Sequence, residues 1–130
     1  MINPFSKKVE AIIALVLCTG VHHNLVETRK LILEDAGHTV ITATSESAIE
    51  HACEQHNFEV AVIGQAISTN EKSHFLAIIR RHCPAAKVLE LYPPYLGRTL
   101  QSADDWLQVP LDVPPDLAEH VTALAAKSSG

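Results

Sequence analysis

The sequence predicts an α/β domain with a doubly wound parallel sheet. Short apolar runs of strand length alternate along the chain with longer stretches whose apolar residues recur at helical spacing. The runs are apolar throughout rather than alternating, which is typical of strands covered on both faces. A length of 130 residues matches one domain with one core. Strands that alternate with helices are joined by right-handed crossovers, and such connections produce a parallel sheet.

The first strand is predicted over residues 11–17, a continuous apolar run. The first helix is predicted to begin at Asn24, a favourable N-cap, and to end before Gly37, which suits a left-handed C-terminal residue. Its stripe at helical spacing consists of Leu25, Val26, Arg29, Ile32, Leu33 and Ala36.

The central elements follow the same alternation. The second strand is predicted over residues 39–43, which are rich in β-branched side chains, and the third over residues 58–63. Between them, a second helix is predicted over residues 47–56. The third helix ends in basic residues that favour the negative end of the helix dipole, just before Pro84. Its apolar stripe is Phe75, Leu76, Ile78 and Ile79.

The last part of the chain supplies two strands and a helix. The fourth strand is predicted over residues 87–91 and the fifth over residues 106–109. Pro114 and Pro115 suit the first turn of a final helix. These elements predict the flavodoxin-like strand order 2-1-3-4-5, with functional loops at the carboxyl ends of the strands.

Composition argues against several classes of partner. The formal net charge is -5, so the chain has no broad positive field for nucleic acid or anionic lipid. The odd set of three cysteines, without paired spacing, indicates reduced thiols rather than a disulfide framework. We therefore expect a cytoplasmic protein that binds neither nucleic acid nor a membrane.

The beginning of the chain has some features of a secretory signal. Two lysines precede an apolar run that ends at Cys18. Glu10 interrupts the junction, and Leu17 occupies a position where a processing site needs a small residue. We therefore expect the run to be retained as the first strand.

Three segments give the sequence a family resemblance. Residues 31–40 cover the end of the first helix and the second strand, residues 58–63 the third strand, and residues 103–110 the approach to the fifth strand. In these segments the chain resembles the receiver domain of bacterial two-component response regulators. The resemblance covers a predicted domain of residues 11–127, and residues 1–10 and 128–130 are expected to be flexible termini.

The resemblance implies a phosphorylation pocket with five chemical groups. A working receiver has two acidic residues after the first strand, which bind magnesium together with an aspartate that ends the third strand and accepts the phosphoryl group. A hydroxyl group after the fourth strand and a lysine after the fifth contact the phosphate. By register these roles fall on Thr19, Gly20, Val21, Gly64, Tyr92 and Val109. The resemblance thus implies a degenerate pocket without aspartyl phosphorylation, enzymatic activity, metal or cofactor.

The connection between the fourth and fifth strands is shorter than in the family. The helix that the family has in this connection, its fourth, is therefore expected to be a turn or absent. Residues 93–97 are expected to form a stiff, partly apolar loop instead. This region and the last helix are predicted to bind another signalling protein, or a second copy of the chain. The candidate contact residues are Tyr95, Leu96, Trp106, Leu117 and His120. Alternatively, Tyr95 and Leu96 fill the gap left by the missing helix.

A different class of function uses the crevice at the ends of the first and third strands. There the chain would sense a small ligand or a metal ion. Glycine at position 64 opens space in that crevice, and an amide at position 65 offers both a donor and an acceptor. The full candidate set is Cys18, Thr19, His22, His23, Gly64 and Gln65.

Overall fold

The computed structural model describes residues 13–65, 68–110 and 115–128. These residues form five strands and four helices. In chain order they are β1 (Leu15–Thr19), α1 (His23–Asp35), β2 (Thr39–Ala43), α2 (Glu46–Gln55), β3 (Val60–Ile63), α3 (Thr69–His82), β4 (Lys87–Tyr92), β5 (Asp105–Gln108) and α4 (Pro115–Ser128).

The five strands form one parallel sheet in the order β2-β1-β3-β4-β5. This confirms the predicted fold class and strand order. β1 lies between β2 and β3, and Thr19 at its carboxyl end pairs with Ile63 at the end of β3. The loops that follow these two strands therefore leave the sheet side by side.

Apolar clusters on the two faces of the sheet explain why the strands read as continuous apolar runs. One cluster joins the sheet to α2 and α3 through residues such as Ile49 and Phe75. The other joins it to α1 and α4 through residues such as Leu33 and Val121. Because successive strand residues point to opposite faces, both sets must be apolar.

β1 begins at Leu15, four residues later than predicted, and the other strand boundaries that change differ from the prediction by one to two residues. β1 continues to Thr19 rather than ending at residue 17, because the carboxyl end of the strand pairs with both neighbours. Residues 11 and 12 of the predicted first strand lie outside the described residues. β3 begins at Val60, β4 continues to Tyr92, and β5 covers Asp105–Gln108.

A side-chain cap sets the start of α2 but not that of α1. α1 begins at His23 with His22 as N-cap and without a side-chain cap, so the prediction that Asn24 caps it is wrong. α2 covers Glu46–Gln55, one residue earlier than predicted, because the Ser45 hydroxyl accepts from the backbone N–H of Ala48 at 3.2 Å. Gly37 follows α1 with φ of 99°, the left-handed conformation that the sequence predicted.

No helix lies between β4 and β5, where all of residues 93–104 are described. Leu100 and Ala103 of this connection are buried and join the α2–α3 cluster. Tyr95 is 85% exposed and Leu96 is 53% exposed, so the alternative that they fill the gap is wrong.

The predicted termini are only partly covered by the structure. Residues 1–12, 129 and 130 lie outside the described part of the chain, while Ser128 is the last residue of α4. No helix within the described ranges has the length and apolar character needed to cross a membrane.

Candidate functional site

The carboxyl ends of β1 and β3 form the floor of the crevice. Thr19 is buried, and its hydroxyl donates to the carbonyl of Val62 at 2.8 Å. The backbone N–H of Gly64 donates to the carbonyl of Thr19 at 3.1 Å. The hydroxyl of Thr19 therefore holds two strands together rather than facing a ligand.

Arg29 fills the space beside Gly64. Its side chain is buried and reaches from α1 to the start of the β3–α3 connection, where Nη2 donates to Gln65 Oε1. A Cβ atom on Gly64 would lie 3.0 Å from Arg29 Nη1 and 3.0 Å from the carbonyl oxygen of Thr19. Glycine is therefore the residue that lets the guanidinium occupy this position.

The electrostatics of the floor are unusual for a buried cation. No salt bridge joins Arg29 to a carboxylate within the described part of the chain, and its side-chain acceptor is a neutral amide. Burial lowers the pKa of Arg29, and the nearby Cys18 acts in the opposite direction. Burying a charge is costly unless it is paired, so this arrangement opposes stability.

Cys18 is fully buried next to this cation. Burial raises its pKa to about 12, although the charge of Arg29 lowers it and that of Glu27 raises it further. The thiol contacts the carbonyl of Val26 at 4.0 Å. At neutral pH Cys18 is a protonated core thiol, and such a group is neither a nucleophile nor a metal ligand.

The mouth of the crevice is a cavity of about 420 Å³ lined by His22, His23, Asn24 and Leu25. Both histidines are exposed, and His23 Nε2 lies 3.9 Å from Glu27 Oε1. The described residues contain no group of three or more histidine, cysteine, aspartate or glutamate side chains placed to hold a metal ion.

The residues predicted for a ligand or metal sensor are thus only partly brought together. The histidines line the mouth, whereas Cys18 and Thr19 are buried and make their bonds within the protein. Gln65 is bonded to Arg29, whose guanidinium fills the space that glycine at position 64 was expected to open.

Tyr92 and Val109 lie at the ends of β4 and β5. The backbone N–H of Val109 donates to the carbonyl of Tyr92 at 2.9 Å, and Val109 is buried. The Val109–Pro110 peptide bond is cis. Both positions therefore contribute to the packing of the strand ends.

A second polar cluster, which the sequence did not predict, lies beneath the β4–β5 connection. Lys72 Nζ donates to Glu90 Oε2 at 2.8 Å and to the carbonyl of Leu91 at 2.8 Å, and both charged side chains are fully buried. Glu90 Oε1 accepts from the N–H groups of Thr99 at 3.0 Å and Leu100 at 2.9 Å. The Thr99 hydroxyl also donates to Glu90 Oε2.

The protonation of Glu90 follows from these bonds. Burial raises its pKa, but the hydrogen bonds from Lys72, Thr99 and Leu100 and the charge of Lys72 outweigh burial, so the net pKa lies below its usual value. Glu90 is therefore ionised. Its bonds to Lys72, Thr99 and Leu100, here called the Glu90 staple, attach the β4–β5 connection to α3. The sequence signal was a carboxylate between the apolar residues Leu89 and Leu91 of β4.

The predicted contact residues divide into exposed and packed groups. Tyr95 and Leu96 are exposed, whereas Trp106 is partly buried and its Nε1 donates to the carbonyl of Leu100 at 3.0 Å. Leu117 is fully buried in the α1–α4 cluster, so it does not contribute to an accessible face.

His120 ties α4 to β5. Its Nδ1 lies 2.6 Å from Asp105 Oδ2, and about one third of each side chain is exposed. On the other face of β5, the guanidinium carbon of Arg98 lies 4.8 Å from the centroid of the Trp106 ring. These contacts hold the side chains of His120 and Arg98 against β5.

Comparison with known proteins decides the fold. No protein-family model matches the sequence, and no curated protein matches it. A response regulator receiver domain protein (CheY-like) from Methanospirillum hungatei has a TM-score of 0.74 and 18% identity, covering 91% of this chain and 98% of that one. This chain has the receiver fold. Chemotaxis response regulator CheY4 of Vibrio cholerae is also similar to this chain, with a TM-score of 0.71 and 19% identity. The match covers 87% of this chain and 99% of CheY4.

The receiver fold also matches part of a larger protein. NtrX from Brucella abortus, in a structure with ADP, has a TM-score of 0.78 and 17% identity over 91% of this chain. The match covers 27% of NtrX, so this receiver fold spans about a quarter of that protein. An adenylate cyclase from Rhodopirellula baltica has a TM-score of 0.78 and 16% identity, with 91% of both chains covered.

Proposed function

We propose that this chain is a pseudo-receiver, a signalling domain that keeps the receiver fold, cannot be phosphorylated on aspartate, and acts by binding another protein. The observation that carries the proposal is Gly64 at the carboxyl end of β3, with the guanidinium of Arg29 against it. The receiver-like neighbours support the signalling class, because several of the compared structures are response regulators or their receiver domains.

Loss of phosphorylation follows from the chemistry of the acceptor position. Gly64 is the first residue after β3, the position at which the receiver resemblance implies the phosphoryl-accepting aspartate. Glycine has no side-chain atom that can bond to phosphorus. The resemblance also implies a small hydroxyl side chain after the fourth strand and a lysine after the fifth. This chain has the phenol of Tyr92 and the apolar Val109 at those positions, so a phosphoryl group would lack both contacts.

The residues present do not fit the magnesium ion that the receiver resemblance implies. Magnesium is bound through carboxylate and other hard oxygen ligands. The loop after β1 begins Gly20-Val21-His22 and contains no carboxylate, and the nearest buried charge is the positive Arg29. A cation beside a guanidinium is repelled rather than bound.

Protein binding is supported by the exposed loop after β4. Tyr95 and Leu96 expose aromatic and aliphatic surface, and aromatic residues are enriched in protein interfaces. The Glu90 staple holds the end of this loop through Thr99 and Leu100. A fixed loop loses little entropy when it binds, which favours a contact role.

The phosphorylation part of the proposal is tested with acetyl phosphate and Mg²⁺. Intact-mass measurement is expected to show no added phosphoryl mass under conditions in which a receiver that carries the acceptor aspartate is modified. An adduct on this chain that hydrolyses as an acyl phosphate contradicts the assignment of Gly64.

The binding part is tested by purifying the chain from its native cells with its bound proteins. A Tyr95→Ser, Leu96→Ser variant is expected to lose a specific partner at least tenfold, as judged by quantitative mass spectrometry. Leu31→Ser is the matched control, because Leu31 is 65% exposed on α1. Equal loss in the control contradicts a contact role for the loop, and sedimentation velocity shows whether the partner is a second copy of the chain.

A further inference from the structure

We propose that Arg29 is a resident cation that locks the start of the β3–α3 connection, so that the state of the domain depends on neither a metal ion nor a phosphoryl group. This form of regulation rests on the proposed pseudo-receiver function. It follows from the disagreement between the residues of the crevice and the magnesium site that the receiver resemblance implies.

The lock joins two distant parts of the chain. The guanidinium of Arg29 leaves the middle of α1, passes next to Gly64, and donates to the side chain of Gln65. Ser68, three residues beyond Gln65, caps α3 by accepting from the N–H of Glu71 at 3.1 Å. The lock therefore joins the middle of α1 to the start of the connection that leaves β3.

Glycine and arginine are adapted to each other at this point. A side chain at position 64 would bring its Cβ to 3.0 Å from Nη1, so any larger residue there displaces the guanidinium. The amide of Gln65 can accept the hydrogen bond without neutralising the charge. The three residues thus act as a unit, and one substitution releases it.

A resident cation differs from a bound one in its occupancy. A diffusible ion or a phosphoryl group shifts a conformational equilibrium only while it is present, in proportion to its different affinities for the two states. A cation on the chain itself is always present at a high effective concentration. The crevice is then held in one state under all cellular conditions.

The lock is retained at a cost to stability, which separates it from an ordinary structural bond. A buried guanidinium paired with a neutral amide is desolvated without the compensation that a carboxylate provides. An unbranched apolar side chain at position 29 is therefore expected to leave global stability unchanged or raised while it releases Gln65. If Arg29 had an ordinary structural role, the substitution would lower global stability and release Gln65 together.

The test compares amide hydrogen exchange in the whole chain and in the variants Arg29→Met, Gln65→Met and the double variant. Each single variant is expected to speed exchange at the amide of Gly64, which donates to the Thr19 carbonyl beside the guanidinium, about tenfold or more, the effect of losing one charge-assisted hydrogen bond. The double variant is expected to match the single variants, because all three lack the same bond. Lys30→Met, which removes a neighbouring charge on α1, is the control.

The possible outcomes separate the lock from the proposed function. Unchanged exchange in Arg29→Met, or effects that multiply in the double variant, overturn the lock. If Arg29→Met does not fold, Gln65→Met alone decides, since Gln65 is only partly buried. The wild-type chain is also expected to show the same exchange with and without Mg²⁺ and acetyl phosphate, and faster or slower exchange overturns the lock. Phosphorylation of the wild-type chain contradicts the pseudo-receiver assignment itself.

Discussion

At the scale of single residues, the crevice is determined by a small residue that makes room for a large one. The guanidinium of Arg29 and the carbonyl of Thr19 both approach the position that a Cβ of residue 64 would occupy. In a close-packed interior such a position tolerates no additional atom without displacement of its neighbours.

Gly64→Ala is expected to destabilise the protein by about 1–3 kcal/mol, the usual cost of adding a methyl group to a filled site. Because the Thr19 carbonyl is backbone and shifts little, the strain falls mainly on Arg29 and its bond to Gln65. Urea unfolding monitored by circular dichroism measures the free energy. In an Arg29→Met background the cost is expected to be smaller, and an equal cost in both backgrounds shows that the guanidinium is not the obstacle.

The sequence alone shows where a chemical group such as a carboxylate is missing. It does not show which side chains far apart along the chain bind each other. Gly64 and the loop after β1 could be recognised as lacking carboxylates from register alone. Arg29 lies in the stripe predicted for the first helix, but its partner Gln65 could not be predicted. The burial of Lys72 and Glu90 could not be predicted either, because long charged side chains are usually exposed and the paired residues lie 18 to 36 residues apart.

At the scale of elements, the β4–β5 connection shows how a helix can be replaced by a stapled loop. The two oxygens of Glu90 accept bonds from α3 and from the connection, so one buried carboxylate joins three segments. The sequence predicted, from the short, proline-rich connection, that the helix which receivers have between the fourth and fifth strands is lost. It did not predict the staple, since no local pattern pairs Lys72 with Glu90.

Glu90→Gln is expected to destabilise the protein by about 3–5 kcal/mol, because removing one partner leaves the buried ammonium of Lys72 uncompensated. Chemical denaturation measures the change, and exchange at the amides of Thr99 and Leu100 reports release of the connection. Glu54→Gln, an exposed glutamate on α2, is expected to change stability by less than about 0.5 kcal/mol. A similar effect of both substitutions contradicts the staple.

Helix caps show how element boundaries depend on side chains that a periodic pattern does not contain. The Ser68 hydroxyl accepts from the N–H of Glu71 and donates to its carboxylate, with Oγ to Oε1 at 3.3 Å. Ser68→Ala is expected to cost about 1 kcal/mol in the free energy of unfolding. Ser73→Ala, an exposed position inside α3, is expected to be neutral or stabilising, because alanine is the better helix former. Equal costs at the two positions contradict the capping role.

At the scale of the whole molecule, the fold was predictable because alternation of strands and helices leaves few topologies. The wholly apolar strands required covering helices on both faces, and α1 with α4 and α2 with α3 supply them. What the alternation could not supply is the pattern of buried polar groups, which determines how stability depends on pH.

The decrease of stability at low pH, here called the acid limb, is expected to come from His38. Its Nδ1 accepts from the N–H of Ala14 at 3.0 Å, and its Nε2 lies 3.0 Å from the hydroxyl of Thr122, so the buried ring is neutral. Burial lowers its pKa below 6.5, although the charge of Glu59 acts in the opposite direction. The unfolded chain therefore binds the proton first, and stability decreases as pH falls below about 6.5. His38→Ala is expected to flatten this limb relative to the exposed control His51→Ala, and an unchanged limb assigns it to other groups.

The alkaline limb is expected to come from the buried thiols. Burial raises the pKa of Cys18 to about 12 from 9.0, and burial together with a hydrogen bond to Cys83 does the same for Cys53. Above pH 9 the unfolded chain loses thiol protons that the folded chain keeps, so stability decreases as pH rises toward 12. Each fully buried thiol contributes a slope of about 1.4 kcal/mol per pH unit in this range. Urea unfolding between pH 7 and pH 10.5 is expected to show a shallower decrease in Cys18→Ala than in the wild-type chain, even though the variant is less stable at neutral pH. Parallel curves show that Cys18 ionises alike in both states, and they contradict its place in the core beside Arg29.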